Sequence, residues 1–189
     1  EYNEEKPSKN TAVVVADPSN GEILGMASYP TFDLNKPRDI SGLYTDEQIA
    51  TMTDDGYKNA LYSLWTNYCV SESYEPGSTF KILSTYAPAI DTGSMTLATV
   101  FDDAPYQYEN GQKVTNYVST SYKGLTTVRD AIIDSNNIVA VKALTDLTPQ
   151  VGFDFLQKLG FTTLVNNRVS TNGTYESDVN QSLALGGIT

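Results

Sequence analysis

The sequence predicts a mixed α and β fold, and three features of its 189 residues carry this prediction. Two β-type runs, TAVVVA and GEILGMAS, flank the turn-forming segment DPSNG. Apolar residues recur at helical spacing in several later segments. Hydrophobic residues make up 40% and charged residues 19%, which is a globular composition. The chain is therefore long enough for one domain or for part of a larger one.

The amino-terminal part predicts a linker, a hairpin and short helices. Residues 1–10 are polar and typical of a linker or of the edge of an expressed segment. The hairpin should lie at the core of a sheet, and Gly21 can adopt the left-handed conformation that its turn requires. Thr45 and Gln48 have the spacing of a capping box, which predicts a helix start in TDEQIATMTDDGYKNALYSLWTNY.

A longer helix is predicted to begin at Ser78. Its buried face would carry the apolar residues that recur at helical spacing: Phe80, Ile82, Leu83, Tyr86, Ala87 and Ile90. Pro88 should kink or shorten this helix, and the segment DTGS should end it.

The remaining segments alternate between turns and helices. Residues 95–122 are rich in turn formers and tyrosine and predict weak strands at best. LTTVRDAIIDSNNIVAVKALTDL predicts two helices with a polar corner at Ser135-Asn136-Asn137. PQVGFDFLQKLGF predicts a further amphipathic helix, closed by Gly160.

Composition narrows the classes of function. A formal net charge of -11 disfavours nucleic acid and anionic membrane surfaces as partners. The chain has no histidine, which excludes a Ser-His-Asp triad and the usual zinc sites, and we expect no metal and no cofactor. No apolar run approaches the ~18 residues of a membrane span. We therefore expect a soluble chain that meets a membrane only through other parts of a parent protein.

The segment YEPGSTFKI places Ser78 and Lys81 one helical turn apart, directly after a Pro-Gly pair. Side chains three residues apart share a helix face, so the amine can reach the hydroxyl. Apolar neighbours would lower the pKa of Lys81, and a neutral lysine is a competent base where histidine is lacking. By itself, however, the Ser-x-x-Lys spacing favours the simpler interpretation, a cap serine followed by an ordinary lysine.

Two segments together resemble a known family. YEPGSTFKI and IIDSNNIVAVKAL resemble the first two active-site motifs of the penicillin-binding protein transpeptidase domain, in the same order. The resemblance covers residues 11–189 and extends to TAVVVADPSNGEILGMASYPTFDLN and SLALGGIT. It implies a β-lactamase/transpeptidase-like fold, in which helix clusters flank an antiparallel sheet. The chain through NYCVSESYEPGSTFK is more similar to class B members, and the part from KILSTYAPAIDTG onward to class A, so the subclass stays open.

The resemblance also implies roles for four residues. Ser78 would be the acylated nucleophile, and Lys81 would take its proton. Ser135 would relay a proton to the leaving amine, and Asn137 would bind the substrate amide and orient Lys81. The implied reaction cross-links peptidoglycan stem peptides that end in D-Ala-D-Ala. It takes place on the extracytoplasmic face of the bacterial cell membrane, with β-lactams as inhibitors.

One family feature is missing from the sequence. The third motif, Lys-Thr-Gly or Lys-Ser-Gly, does not occur, and its nearest match is Lys123-Gly124. We therefore expect an amino-terminal portion of the domain that stops before the later sheet strands and has little or no activity alone. Three alternatives remain: a serine β-lactamase, a non-catalytic β-lactam sensor or binding domain, and a structural module in which Ser78 only caps a helix.

Overall fold

The computed structural model describes three stretches of the chain: residues 8, 10–118 and 121–188. Helices and antiparallel strand pairs confirm the mixed α and β fold. The chain forms two compact units, Glu1–Tyr74 and Glu75–Thr189. The predicted linker at residues 1–10 lies outside the described residues, except for positions 8 and 10. Within the described residues, no helix combines the length and the apolar character needed to cross a bilayer.

The first unit contains a β-hairpin followed by three short helices. Its elements in chain order are β1 (Thr11–Ala16), β2 (Ile23–Tyr29), α1 (Asp46–Thr51), α2 (Asp54–Trp65) and α3 (Tyr68–Ser71). In the turn of the hairpin, the Asp17 N–H donates to the Glu22 carbonyl at 2.8 Å. Gly21 has a φ of 76°, a conformation that other residues rarely adopt. The predicted hairpin and its left-handed glycine are confirmed.

The hairpin exposes apolar side chains on both of its faces. Val14 and Val15 are 45% and 51% exposed, although they point to opposite sides of the strand. Among the described residues, β1 and β2 pair only with each other. The hairpin therefore does not form the core of a larger sheet in this structure, although its composition is typical of a central strand.

Helix α1 begins with the predicted capping box. The Thr45 side chain accepts from the Gln48 N–H at 3.3 Å, and the Gln48 side chain accepts from the Thr45 N–H at 2.9 Å. Each bond satisfies an amide that has no partner within the helix. The core of this unit consists of four buried apolar residues: Ile40, Ala60, Leu61 and Leu64.

The second unit contains the remaining elements. Its helical elements are a 3₁₀ turn (Gly77–Phe80), a π turn (Ile82–Tyr86), α4 (Ala87–Asp91), α5 (Val128–Ile133), α6 (Asn137–Leu147), α7 (Pro149–Lys158) and a second 3₁₀ turn (Gln181–Leu185). Its strands are β3 (Val100–Asp103), β4 (Tyr106–Gln107), β5 (Lys113–Val114), β6 (Gly124–Thr127), β7 (Arg168–Val169) and β8 (Tyr175–Glu176). They pair antiparallel as β3 with β6, β4 with β5 and β7 with β8. Helix α6 supplies much of the core, because most of its side chains are buried.

Residues 77–91 form a continuous helical segment whose hydrogen-bonding pattern changes along its length. In the π turn, the Ala87 N–H donates to the Ile82 carbonyl, five residues earlier. Pro88 has no N–H, so it cannot donate to the Ser84 carbonyl in an α-helical pattern. A π turn therefore precedes Pro88, and the helical segment continues through the proline to Asp91, where DTGS begins.

The π turn changes which side chains of this segment are buried. Phe80 and Tyr86 are buried as predicted, but Ile82 and Ile90 are 43% and 45% exposed. Their assignment to the buried face is wrong. For Ile90 the reason is the five-residue hydrogen-bond step from Ala87 to Ile82, which rotates later residues out of α-helical register. The buried positions include three polar residues instead: Lys81, Ser84 and Thr85.

Gly152 allows α7 to pack closely against this segment. A Cβ atom at position 152 would lie 2.3 Å from the Ser84 carbonyl oxygen and 2.9 Å from Leu144 Cδ1. Both neighbours lie in the buried interior, where the backbone has little room to retreat.

We expect Gly152→Ala to destabilise the protein by about 1–3 kcal/mol, because overpacking outweighs the better helix propensity of alanine. Chemical denaturation monitored by circular dichroism measures the change in unfolding free energy. Gln157→Ala, at an exposed position of the same helix, is the matched control and should be close to neutral. Equal stability of the two variants would show that the contact with Ser84 is not restrictive.

Candidate active site

Ser78 lies in the first turn of the helical segment 77–91. It follows Gly77, whose φ is 61°, and its side chain is exposed. The 3₁₀ turn begins without a side-chain cap, so Ser78 does not cap the helix. Among the described residues, Ser78 Oγ has no hydrogen-bond partner, and the hydroxyl is therefore available to a ligand.

Lys81 is buried, with only 3% of its surface exposed. Its amine donates to Asn137 Oδ1 at 2.5 Å, to the Ser135 carbonyl at 2.6 Å and to Ser135 Oγ at 3.0 Å. All three acceptors are neutral. Burial lowers the pKa of Lys81 to about 8, because the charged form loses its hydration.

The structure brings three of the four predicted site residues into direct contact. Lys81 bonds to Ser135 and Asn137, which lie more than fifty residues later in the sequence. Ser78 is joined to Lys81 only through the backbone, where the Lys81 N–H donates to the Ser78 carbonyl. The expected bond between the Ser78 hydroxyl and the Lys81 amine is absent from the described residues. The amine instead faces the polar corner.

The polar corner between α5 and α6 has a tightly specified backbone. Ser135 has a φ of 51°, an uncommon value for a residue with a side chain. Asn136 is buried and caps α6, since its side chain accepts from the Val139 N–H at 2.9 Å. Its own N–H donates to the Ala131 carbonyl at 2.8 Å. These bonds hold the chain in a strained turn that directs Ser135 and Asn137 to the same amine.

Two residues that sequence analysis missed bind Asn137 from the segment between β5 and β6. The Thr115 carbonyl accepts from Asn137 Nδ2 at 2.7 Å, and Asn116 Oδ1 accepts from the Asn137 N–H at 2.9 Å. Both lie in a turn-rich stretch where threonine and asparagine are common. Their position in the sequence therefore gave no signal of this contact.

A second glycine supports the turn that carries Ser78. Gly186 follows the 3₁₀ turn Gln181–Leu185 and has a φ of 73°. A Cβ atom there would lie 2.5 Å from the Gly77 carbonyl oxygen and 2.7 Å from the Gly77 nitrogen. The segment SLALGG therefore packs directly against the residue before Ser78, and no larger side chain fits.

Gly186→Ala should destabilise the protein more than Gly173→Ala, by an additional ~1–3 kcal/mol, because only position 186 adds a backbone clash. Gly173 is a matched control: its φ is 83°, and a Cβ there meets nothing within 4 Å. Thermal and chemical unfolding of both variants give the comparison. The contact with Gly77 would be unimportant if the two substitutions cost the same.

Comparison with known proteins identifies the family of this chain. A family model described as "Penicillin binding protein transpeptidase domain" matches residues 11–188. The chain therefore belongs to the penicillin-binding protein transpeptidase family, as its two motifs predicted.

Two relatives and one solved structure illustrate the similarity. "Penicillin-binding protein 1A" of Clostridium tetani is 37% identical over 93 residues, covering 46% of this chain and 12% of that protein. "Probable peptidoglycan D,D-transpeptidase PenA" of Neisseria flavescens is 30% identical over 153 residues, covering 81% and 32%. The D,D-transpeptidase domain of an Eggerthella lenta peptidoglycan glycosyltransferase has a TM-score of 0.63 at 21% identity, covering 94% of this chain and 40% of that one.

These comparisons define the extent of the match. The chain spans no more than about a third of the length of either relative. The similarity to the solved structure confirms the predicted fold class.

Proposed function

We propose that the protein carrying this chain is a peptidoglycan D,D-transpeptidase that forms an acyl-enzyme at Ser78. The observation that carries this proposal is the buried Lys81 amine, hydrogen-bonded to Ser135 and Asn137 and one turn from the exposed Ser78. The family supports the same reaction, and the Neisseria flavescens relative bears the name of a peptidoglycan D,D-transpeptidase.

The hydrogen bonds of Lys81 indicate how it acts as a base. A neutral amine has two N–H donors and one lone pair. The Ser135 carbonyl and Asn137 Oδ1 can accept the two N–H groups, at 2.6 Å and 2.5 Å. The lone pair is then left for a hydroxyl, either that of Ser135 at 3.0 Å or that of Ser78 when substrate is bound. In this role, Asn137 and Ser135 orient the amine.

The acylation step follows from these positions. Ser78 Oγ attacks the carbonyl carbon between the two terminal D-Ala residues and passes its proton to Lys81. The Ser78 N–H, at the start of the helical segment, stabilises the oxyanion as one of two donors. The C–N bond breaks, and D-Ala leaves with a proton that passes from Lys81 through the Ser135 hydroxyl. The acyl group is now an ester of Ser78.

Transfer completes the cycle. An amine from a neighbouring stem peptide attacks the ester carbonyl and forms the new amide bond. Its proton returns to Ser78 Oγ through Lys81, which restores the free enzyme. β-Lactams present a strained amide to the same serine and would give a stable ester. We place the reaction on the extracytoplasmic face of the membrane, where peptidoglycan stem peptides occur.

We also propose that the 189-residue chain alone reacts slowly. The sequence contains no Lys-Thr-Gly or Lys-Ser-Gly segment, which in the family supplies the second oxyanion donor. Loss of one such donor costs about 10²–10³ in rate.

Labelled penicillin should acylate Ser78 in the protein that carries this chain. The variants Ser78→Ala and Lys81→Met should both abolish this reaction. Intact-mass spectrometry and peptide mapping detect the adduct. Ser71→Ala and Lys158→Met remove an exposed serine and an exposed lysine and should react normally. Labelling that persists in Ser78→Ala would refute the assignment of the nucleophile. Rapid loss of the label from the wild-type protein would favour a β-lactamase.

The acylation rate should rise with pH and reach half its maximum near pH 8, because only the neutral Lys81 amine accepts the proton. The sign follows from the lowered pKa: below it the base is protonated and slow, and above it the rate levels off. Stopped-flow measurement of acylation across this range tests the profile. A rate that does not change between about pH 6 and pH 10 would contradict a lysine base.

A further inference from the structure

A chain of hydrogen bonds connects the start of α6 to strand β3. The proposed reaction does not use this chain. It begins at Asp103, the last residue of β3, which is only 1% exposed. Asp103 Oδ1 accepts from Asn116 Nδ2 at 2.9 Å, and Oδ2 accepts from the Lys123 N–H at 2.9 Å. The buried carboxylate therefore has a partner for each oxygen, and one of them is a side-chain amide.

Asn116 connects this carboxylate to the helix start. Its Oδ1 accepts from the N–H groups of Asn137 and Ile138, at 2.9 Å and 3.3 Å. Its Nδ2 points to Asp103. Reversing the amide would direct Nδ2 at two N–H groups and Oδ1 at a carboxylate, so Asp103 fixes the orientation of Asn116. The first-turn amides of a helix need such an acceptor, because the helix supplies none.

The same segment also holds the Asn137 side chain. The Thr115 carbonyl accepts from Asn137 Nδ2, while Asn116 accepts from the Asn137 backbone N–H. With both ends of the residue fixed, Asn137 Oδ1 can point only toward the Lys81 amine, at 2.5 Å. A displacement of Asn116 is therefore transmitted to an acceptor of the proposed base.

We propose that Asn116, oriented by the buried Asp103 carboxylate, is a positioning residue for Asn137 and Lys81. Asn116 touches no reacting atom and acts through the helix start that it holds. This inference rests on the proposed function for its kinetic readout, whereas the hydrogen-bond chain itself is independent of that function.

A side-chain exchange provides the sharpest test. In Asn116→Asp alone, two carboxylates face each other within hydrogen-bond distance, and the chain should break. In the double variant Asp103→Asn/Asn116→Asp, the new aspartate still accepts from both helix amides. The new asparagine donates to it and can still accept from the Lys123 N–H, and the net charge is unchanged. The double variant should therefore restore the connection.

The expected results are specific. At a temperature where every variant is folded, Asn116→Ala and Asn116→Asp in the natural protein should slow penicillin acylation by between about tenfold and a hundredfold. The double variant Asp103→Asn/Asn116→Asp should recover most of the wild-type acylation rate. Amide hydrogen exchange, read by mass spectrometry on peptides that cover residues 135–141, should be faster in both single variants and return toward wild type in the double variant.

Lys142→Met is the matched control. The Lys142 amine donates to the Asp102 carbonyl at 2.6 Å, so it also ties α6 to β3, one residue from Asp103. Its removal should lower stability yet leave the acylation rate within about twofold of wild type, because it does not touch the start of α6.

Three outcomes would decide against the proposal. The first is a wild-type acylation rate in Asn116→Ala, and the second is a rate loss in Lys142→Met as large as that in Asn116→Ala. The third is an acylation rate in the double variant no higher than that of Asn116→Asp. If the wild-type protein does not react with penicillin at all, the proposed function fails. The exchange rates of residues 135–141 in the single and double variants then still decide whether Asn116 holds the helix start.

Discussion

The proposed mechanism depends on one constraint: the buried Lys81 amine has only neutral oxygen acceptors among the described residues. Lys81 is 3% exposed, and its partners are a carbonyl, a hydroxyl and a side-chain amide. A carboxylate at the same place would favour the ammonium form, and Lys81 could not then act as the proposed base. Burial without a counter-charge has the opposite effect and lowers the pKa of Lys81. The proposed chemistry of the site follows from these neutral neighbours of Lys81.

The backbone conformation around the site positions these groups as much as the side chains do. The polar corner places Ser135 in a left-handed conformation, and the capping side chain of Asn136 secures the turn. Because Gly186 has no side chain, the segment that contains it packs closely against Gly77, the residue before Ser78. Residues that themselves carry no proposed chemistry thus set where the reactive groups lie, as expected when a site requires placement to within a fraction of an ångström.

Local patterns predicted much of this structure, and contacts between distant segments explain what they missed. The capping box at Thr45 and the two helices around the polar corner depend on neighbouring residues, so the sequence shows them directly. The π turn before Pro88 was not predicted, and Ile90, which follows this turn, was consequently placed on the wrong face. Asn116 was missed because an asparagine in a turn-rich segment has an ordinary local explanation. Its partners become apparent only when residues 103, 116 and 137 meet in space.

The most direct test of the central claim is a titration of Lys81 itself. The ¹³Cε resonance of this lysine, assigned by comparison with Lys81→Arg, reports its protonation in the folded protein without any substrate. Because burial lowers the pKa of Lys81 to about 8, the transition is expected near pH 8. A transition at the ordinary lysine value of ~10.4 would mean that the amine stays charged at neutral pH, and Lys81 could not then be the base.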